Sequence, residues 1–198
     1  MIKKYRMRKW LNVFFIVATL AGCAGNKSGH PVVIIESAFG DIEVELYEDK
    51  APKTVAAFLA GIDAGLYKKS SFYRVLKNED APTEYNYGLI QGGVFESKPE
   101  TVTKFVPHES PRQTGISHES GTISMARTTP GSASSEFFIC IGNQSQFDSS
   151  SRGNADGLGY AAFGRVIKGM DIVKAIQNEK SNGDRFVKAI AIKNIERD

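Results

Sequence analysis

Three histidines, two cysteines and 22 carboxylate side chains could carry covalent or metal chemistry in this 198-residue chain, and their spacing argues against most of it. His108-Glu109 and His118-Glu119 each look like half of a zinc-binding helix, but neither has a second histidine three residues after the glutamate. Arg152, Asn154, Asp156 and Gly157 have the cadence of a calcium loop, yet arginine at the first ligand position and Phe163 at the last exclude it. Gly131 to Ser135 lacks the frame of a nucleophile elbow. His30, His108 and His118 all lie in polar stretches and read as solvated loop residues. Neither a metal nor a cofactor is expected.

Cys23 is a different case because of what surrounds it. Lys3, Lys4, Arg6, Arg8 and Lys9 precede the apolar run Leu11 to Leu20, which is too short to span a bilayer comfortably. A basic segment followed by a short apolar one has the layout of a secretory signal. Leu20-Ala21-Gly22-Cys23 then resembles the bacterial lipobox, in which the cysteine becomes lipidated residue one. Two or three acyl chains anchor stably where a single chain is marginal. Residues 1–22 are therefore expected to be a lipoprotein signal peptide and 23–30 a lipidated flexible tether. The expected location is the cell envelope, on the periplasmic face of the outer membrane in a Gram-negative cell. Residues 1–22 hold five of the 25 Lys and Arg and none of the 22 Asp and Glu, so the remainder carries 20 against 22, or −2. That balance shows no basic footprint for nucleic acid. With Cys23 taken by lipid, Cys140 has no disulfide partner, and stability must come from a packed core.

The elements that would position any site begin near Pro31. Pro31–Glu36 and Asp41–Tyr47 are β-rich, and Asp41-Ile42-Glu43-Val44-Glu45-Leu46 alternates polar with apolar, which predicts a hairpin with one buried face. Pro52 opens a segment whose Val55, Phe58, Leu59, Ile62 and Leu66 recur at helical spacing, ending near Gly65. Short strands follow at 72–76, 87–95, 122–126, 136–141 and 160–167. Met170, Val173 and Ile176 mark a second helix, Asn182-Gly183 a turn, and 187–195 a last strand. Two helices and about eight strands without βα alternation predict one mainly β domain over 31–198, an antiparallel barrel capped by the helices.

Five ordered segments resemble the cyclophilin family: Phe72-Tyr73-Arg74-Val75, Ile90-Gln91-Gly92-Gly93, Gly121 through Arg127, Ser134-Ser135-Glu136-Phe137-Phe138-Ile139, and Tyr160 through Val166 with Gly169-Met170-Asp171. The resemblance implies the family's eight-stranded antiparallel barrel with two capping helices, and peptidyl-prolyl cis/trans isomerase activity on proline-containing segments of unfolded or envelope proteins. It assigns Arg74 as the catalytic residue that donates to the prolyl nitrogen. Substrate binding falls to Gln91, Phe138, Leu89, Phe147, Tyr73, Glu136, Ala126, Arg127 and Tyr160. Nothing requires more than a monomer.

The chain departs from the family pattern on the binding face. Glu136 stands where glutamine is usual, which would put a negative charge near Arg74, and Tyr73 and Tyr160 stand where histidines are usual. Gly88 occupies the place of a pocket phenylalanine, which Tyr85 or Tyr87 in the Lys77–Asn86 loop could supply instead. Around Gln146-Phe147-Asp148 the tryptophan of tight cyclosporin binders is absent, the only Trp being Trp10, so weak cyclosporin binding is expected. The alternative these departures favour is a cyclophilin-fold binding module or chaperone that grips proline segments with little turnover.

Overall fold

The computed structural model describes residues 29–77, 88–101, 104–150 and 155–198. The signal, the lipobox and most of the tether, like Tyr85 and Tyr87, lie outside the described residues. Val33 and Ile35 of β1 (Val32–Ser37) and Ile42, Val44 and Leu46 of β2 (Gly40–Leu46) are wholly buried, as the alternation requires of a sheet with one dry face. The Ser37 hydroxyl accepts from Phe39 N–H at 3.1 Å and donates to the Gly40 carbonyl at 2.6 Å, closing the hairpin turn.

The helix α1 (Pro52–Asp63) takes its start from Pro52 at the first turn and buries Val55, Phe58, Leu59 and Ile62. Its exposed backbone donors are met from far along the chain. The Glu109 carboxylate accepts from Lys53 N–H at 3.2 Å, Thr54 N–H at 2.8 Å and the Thr54 hydroxyl at 2.7 Å. An anion at a helix N-terminus is favoured by the helix dipole, and here it pins the 105–110 segment to the barrel. Phe58 enters an aromatic cluster with Tyr67, Phe137 and Phe163, at centroid distances of 5.1 to 5.7 Å.

The remaining elements are β3 (Ser70–Lys77), β4 (Gly88–Gly93), α2 (Pro111–Thr114), β5 (Thr122–Met125), β6 (Phe137–Ile141), β7 (Ala161–Lys168), α3 (Met170–Gln177), β8 (Ser181–Asn182) and β9 (Arg185–Arg197). Every pairing is antiparallel, and the order β1-β2-β7-β5-β6-β4-β3-β9 is closed by pairing of β1 with β9. This is the expected closed eight-stranded barrel. The two-residue β8 only lengthens the hairpin into β9. A third helix, α2, was not expected from the sequence, because four residues are too few to show a 3.6-residue period. Ser110 and Gln113 form its capping box, and Gly115 in the left-handed region ends it.

On β6 the alternation separates two phenylalanines. Phe137 joins the barrel core, whereas Phe138 packs with Leu89, Cys140, Leu76, Ala126, Phe147 and Tyr160 in a second cluster on the other face. Gly88 also gains a different reading. Its φ is +141°, and a Cβ there would sit 1.9 Å from the Leu76 carbonyl oxygen. Close strand approach requires glycine at this position.

Candidate active site

Strand register builds the site. Arg74 on β3 pairs with Gln91 on β4, which pairs with Phe138 on β6, so three side chains separated by 64 positions in the chain form one row across the sheet. Consecutive residues of a regular strand point to opposite faces, yet Tyr73 and Arg74 both line the same groove. The register of β3 against both β4 and β9 shifts between Phe72 and Arg74, and this bulge re-aims the two side chains together. The groove has a cavity volume of about 460 Å³ and is lined by all ten groove residues assigned from the sequence: Arg74, Gln91, Phe138, Leu89, Phe147, Tyr73, Glu136, Ala126, Arg127 and Tyr160.

Its apolar floor is an aromatic box. Phe138 meets Phe147 at 5.4 Å and Tyr160 at 5.5 Å, and Phe147 meets Tyr160 at 5.4 Å, all edge-on. Leu89 and Ala126 fill the gaps. Such a hollow takes a compact apolar ring.

Beside the floor lies a chain of polar groups. Arg74 Nε donates to Asp184 Oδ2 at 2.7 Å and Nη1 donates to Gln91 Oε1 at 3.0 Å, which leaves Nη2 without a protein partner among the described residues. Gln91 Nε2 donates to the Tyr73 hydroxyl at 2.9 Å, and that hydroxyl donates to Glu136 Oε2 at 2.7 Å. Burial, and then the Glu136 carboxylate, push the Tyr73 phenol well above its ordinary pKa, so it remains an O–H donor. Glu136 shares the groove with Arg74 but forms no direct ion pair with it. The carboxylate is occupied by Tyr73, Ser135 and two backbone N–H groups, and the arginine's anionic partner is Asp184.

Arg127 is committed too. It forks onto Asp156 at 2.7 and 2.9 Å, donates to the Gly159 carbonyl and lies 5.0 Å over the Tyr160 ring, with its side chain only 4% exposed. The guanidinium holds the Asp156 carboxyl down at a pKa of about 2. Arg127 thus braces the 156–160 segment, and it and Ala126 line the groove.

Some groove residues have no sequence signal. Asp184 meets Arg74 across 110 positions, and Arg185 sits 5.2 Å over the Tyr73 ring while paired with Glu96. Phe95, 59% exposed, lies 6.0 Å from Tyr73 on the groove's rim. His118 overturns the expectation of a solvated loop histidine. It is fully buried, Nδ1 lies 2.7 Å from Asp148 Oδ1, Nε2 lies 3.0 Å from Ser124 Oγ, and the ring stacks on Phe138 at 5.9 Å. Burial lowers its pKa, against the raising pull of Asp148. The order Ser-His-Asp matches that of a hydrolase triad, but Ser124 is wholly buried behind Phe138 and no substrate reaches it. Cys140 is equally enclosed, its thiol pKa pushed far up by burial. What faces the groove is a fixed cationic donor beside an apolar hollow, suited to gripping a peptide and stabilising charge on a nitrogen.

Residues 32–197 match the family model described as cyclophilin type peptidyl-prolyl cis-trans isomerase. A peptidyl-prolyl cis-trans isomerase of Acinetobacter baylyi is 37% identical over 148 residues, covering 74% of this chain and 72% of that protein. Peptidyl-prolyl cis-trans isomerase B of Escherichia coli is 34% identical over 147 residues, covering 74% and 84%. A cyclophilin type isomerase of Cryptosporidium parvum, crystallised in the presence of the dipeptide Ala-Pro, superposes with a TM-score of 0.68 at 24% identity, over 84% of this chain and 98% of that one.

Proposed function

The chain belongs to the cyclophilin-type peptidyl-prolyl cis-trans isomerase family, and from that premise we propose that the Arg74 groove is where it turns X–Pro bonds, in client proteins of the cell envelope. Unaided rotation faces a barrier of about 18–20 kcal/mol and takes tens to hundreds of seconds. A ten-thousandfold acceleration asks for about 5–6 kcal/mol. As the bond twists, amide resonance is lost and the prolyl nitrogen gains a localised lone pair. A guanidinium N–H aimed at that nitrogen contributes about 1.5–3 kcal/mol, and more where water is excluded. The aromatic box holds the proline ring while the preceding carbonyl swings, and Gln91 with the Ala126–Arg127 backbone fixes the peptide.

The observation that carries this reading is the three-way use of Arg74: two nitrogens are tied to Asp184 and Gln91, and the third is left for substrate. The binding-module alternative drew on Glu136 and Gly88, and each has a structural account of its own. Glu136 does not pair with Arg74, and Gly88 answers to strand packing. The test is isomerisation of a proline tetrapeptide by wild type and Arg74→Ala; equal rates close to the uncatalysed one sink the enzymatic reading.

Membrane tethering through lipid on Cys23 belongs to the same proposal and is supported by the basic, apolar and Leu-Ala-Gly-Cys pattern of the first residues. Palmitate labelling and detergent-phase partitioning of wild type against Cys23→Ala test it. A wild type that takes no label, or a variant that still partitions with detergent, rules the anchor out.

A further inference from the structure

Tyr73 and Glu136, two departures from the family's groove pattern, touch each other, with the Tyr73 hydroxyl donating to Glu136 Oε2 at 2.7 Å. The other carboxylate oxygen, Oε1, receives three donors: Val94 N–H at 2.8 Å, Phe95 N–H at 3.1 Å and the Ser135 hydroxyl at 3.0 Å. Two of these are backbone amides that cannot reverse, so the atom placed there must be an acceptor. At the far end of the chain stands Arg74, which can only donate. Gln91 must therefore turn its oxygen to Arg74 and its NH2 to the Tyr73 oxygen. The Tyr73 oxygen already receives one donor, so its own hydrogen needs an acceptor at position 136.

A glutamine at 136 cannot meet that demand. Its oxygen is claimed by the amides of Val94 and Phe95, which turns its NH2 toward Tyr73. Two amide donors then converge on one phenol oxygen, and the phenol O–H is left unpaired at a residue only 3% exposed. Gly93 keeps the seat open, because a Cβ there would collide with the Glu136 carboxylate. The glutamate and the tyrosine thus meet each other's hydrogen-bond demand.

We propose that Tyr73 and Glu136 are a matched positioning pair for Arg74: the carboxylate sets the direction of the hydrogen-bond chain through Tyr73 and Gln91, and so holds the guanidinium in its working orientation. The inference rests on the isomerase reading above, and the first measurement keeps the two apart. Wild type is compared with the uncatalysed rate on a proline tetrapeptide, and an inactive wild type defeats the isomerase reading itself. With wild type active, Glu136→Gln is expected to lower kcat by about tenfold, the scale of one lost buried hydrogen bond, with KM little changed. The double variant Tyr73→His/Glu136→Gln, which restores the family's usual pair, is expected to recover most of that loss. A Glu136→Gln rate at or above wild type overturns the pairing, as does a double variant slower than either single one. Should Glu136→Gln fail to fold, Tyr73→Phe deletes only the hydroxyl. A loss of kcat with an unchanged thermal midpoint supports the proposal, and a wild-type kcat overturns it.

Discussion

Replacing Arg74 by lysine keeps the charge and removes the fork. In the native groove Nε is 2.7 Å from Asp184 and Nη1 is 3.0 Å from Gln91, so the planar guanidinium is fixed at two corners and presents the third. A lysine ammonium is a single point on a flexible stem. Asp184 draws it aside, away from the place where the guanidinium presents its third nitrogen. The ion pair is itself half in water, with the arginine side chain 32% and the aspartate 49% exposed, so little folding stability depends on it. The loss falls on the twisted state of the substrate. One charge-assisted hydrogen bond is worth about 1.5–3 kcal/mol, which at 1.36 kcal/mol per decade is about a 10- to 150-fold fall in kcat/KM. The assay is cis/trans exchange of a proline tetrapeptide followed by NMR, with circular dichroism and a thermal midpoint to show an intact barrel. An Arg74→Lys enzyme that turns over at the wild-type rate would refute the reasoning, because charge alone would then suffice.

Three further outcomes follow from the same geometry. His118 is buried neutral with its pKa held below the ordinary 6.5, so the unfolded chain takes up its proton first as pH falls. Its contribution to stability is therefore whole above pH 6.5 and lost on acidification below it; urea midpoints across that range should slope more steeply for wild type than for His118→Asn, and equal slopes would count against the idea. Gly88→Ala places a Cβ against the Leu76 carbonyl at 1.9 Å and should cost about 2–4 kcal/mol by urea denaturation, a wild-type midpoint being the contrary result. Cyclosporin should bind weakly by calorimetry, since no tryptophan stands around Gln146-Phe147-Asp148, and low-nanomolar affinity would contradict this.

Some of the site was legible before any coordinates. Strand alternation puts Phe137 and Phe138 on opposite faces, the family resemblance picks Phe138 for the groove, and the ordered segments around Arg74, Gln91 and Phe138 named the three residues that β3, β4 and β6 bring into one row. Glu136 was expected near Arg74, and proximity does not tell which donors an oxygen accepts: its partners are Tyr73, Ser135 and two backbone amides. His118 was misread because it sits among Ser, Glu and Gly, and a polar neighbourhood in sequence says little about burial in a closed barrel.

By itself the sequence determined the alternation of β1 and β2, the proline-started helix α1, the lipobox-like start and the set of residues able to build the groove. These depend on local chemistry: periodicity, proline's fixed φ, and which side chains can donate or pack. Tertiary structure alone decided that Asp184 anchors Arg74, that a bulge turns Tyr73 and Arg74 to the same side, and that Glu136 answers to Tyr73. Each of these depends on the register in which strands distant in the chain meet once β1 closes on β9. A shift of one residue in that register sends every side chain to the opposite face, and no local propensity encodes it.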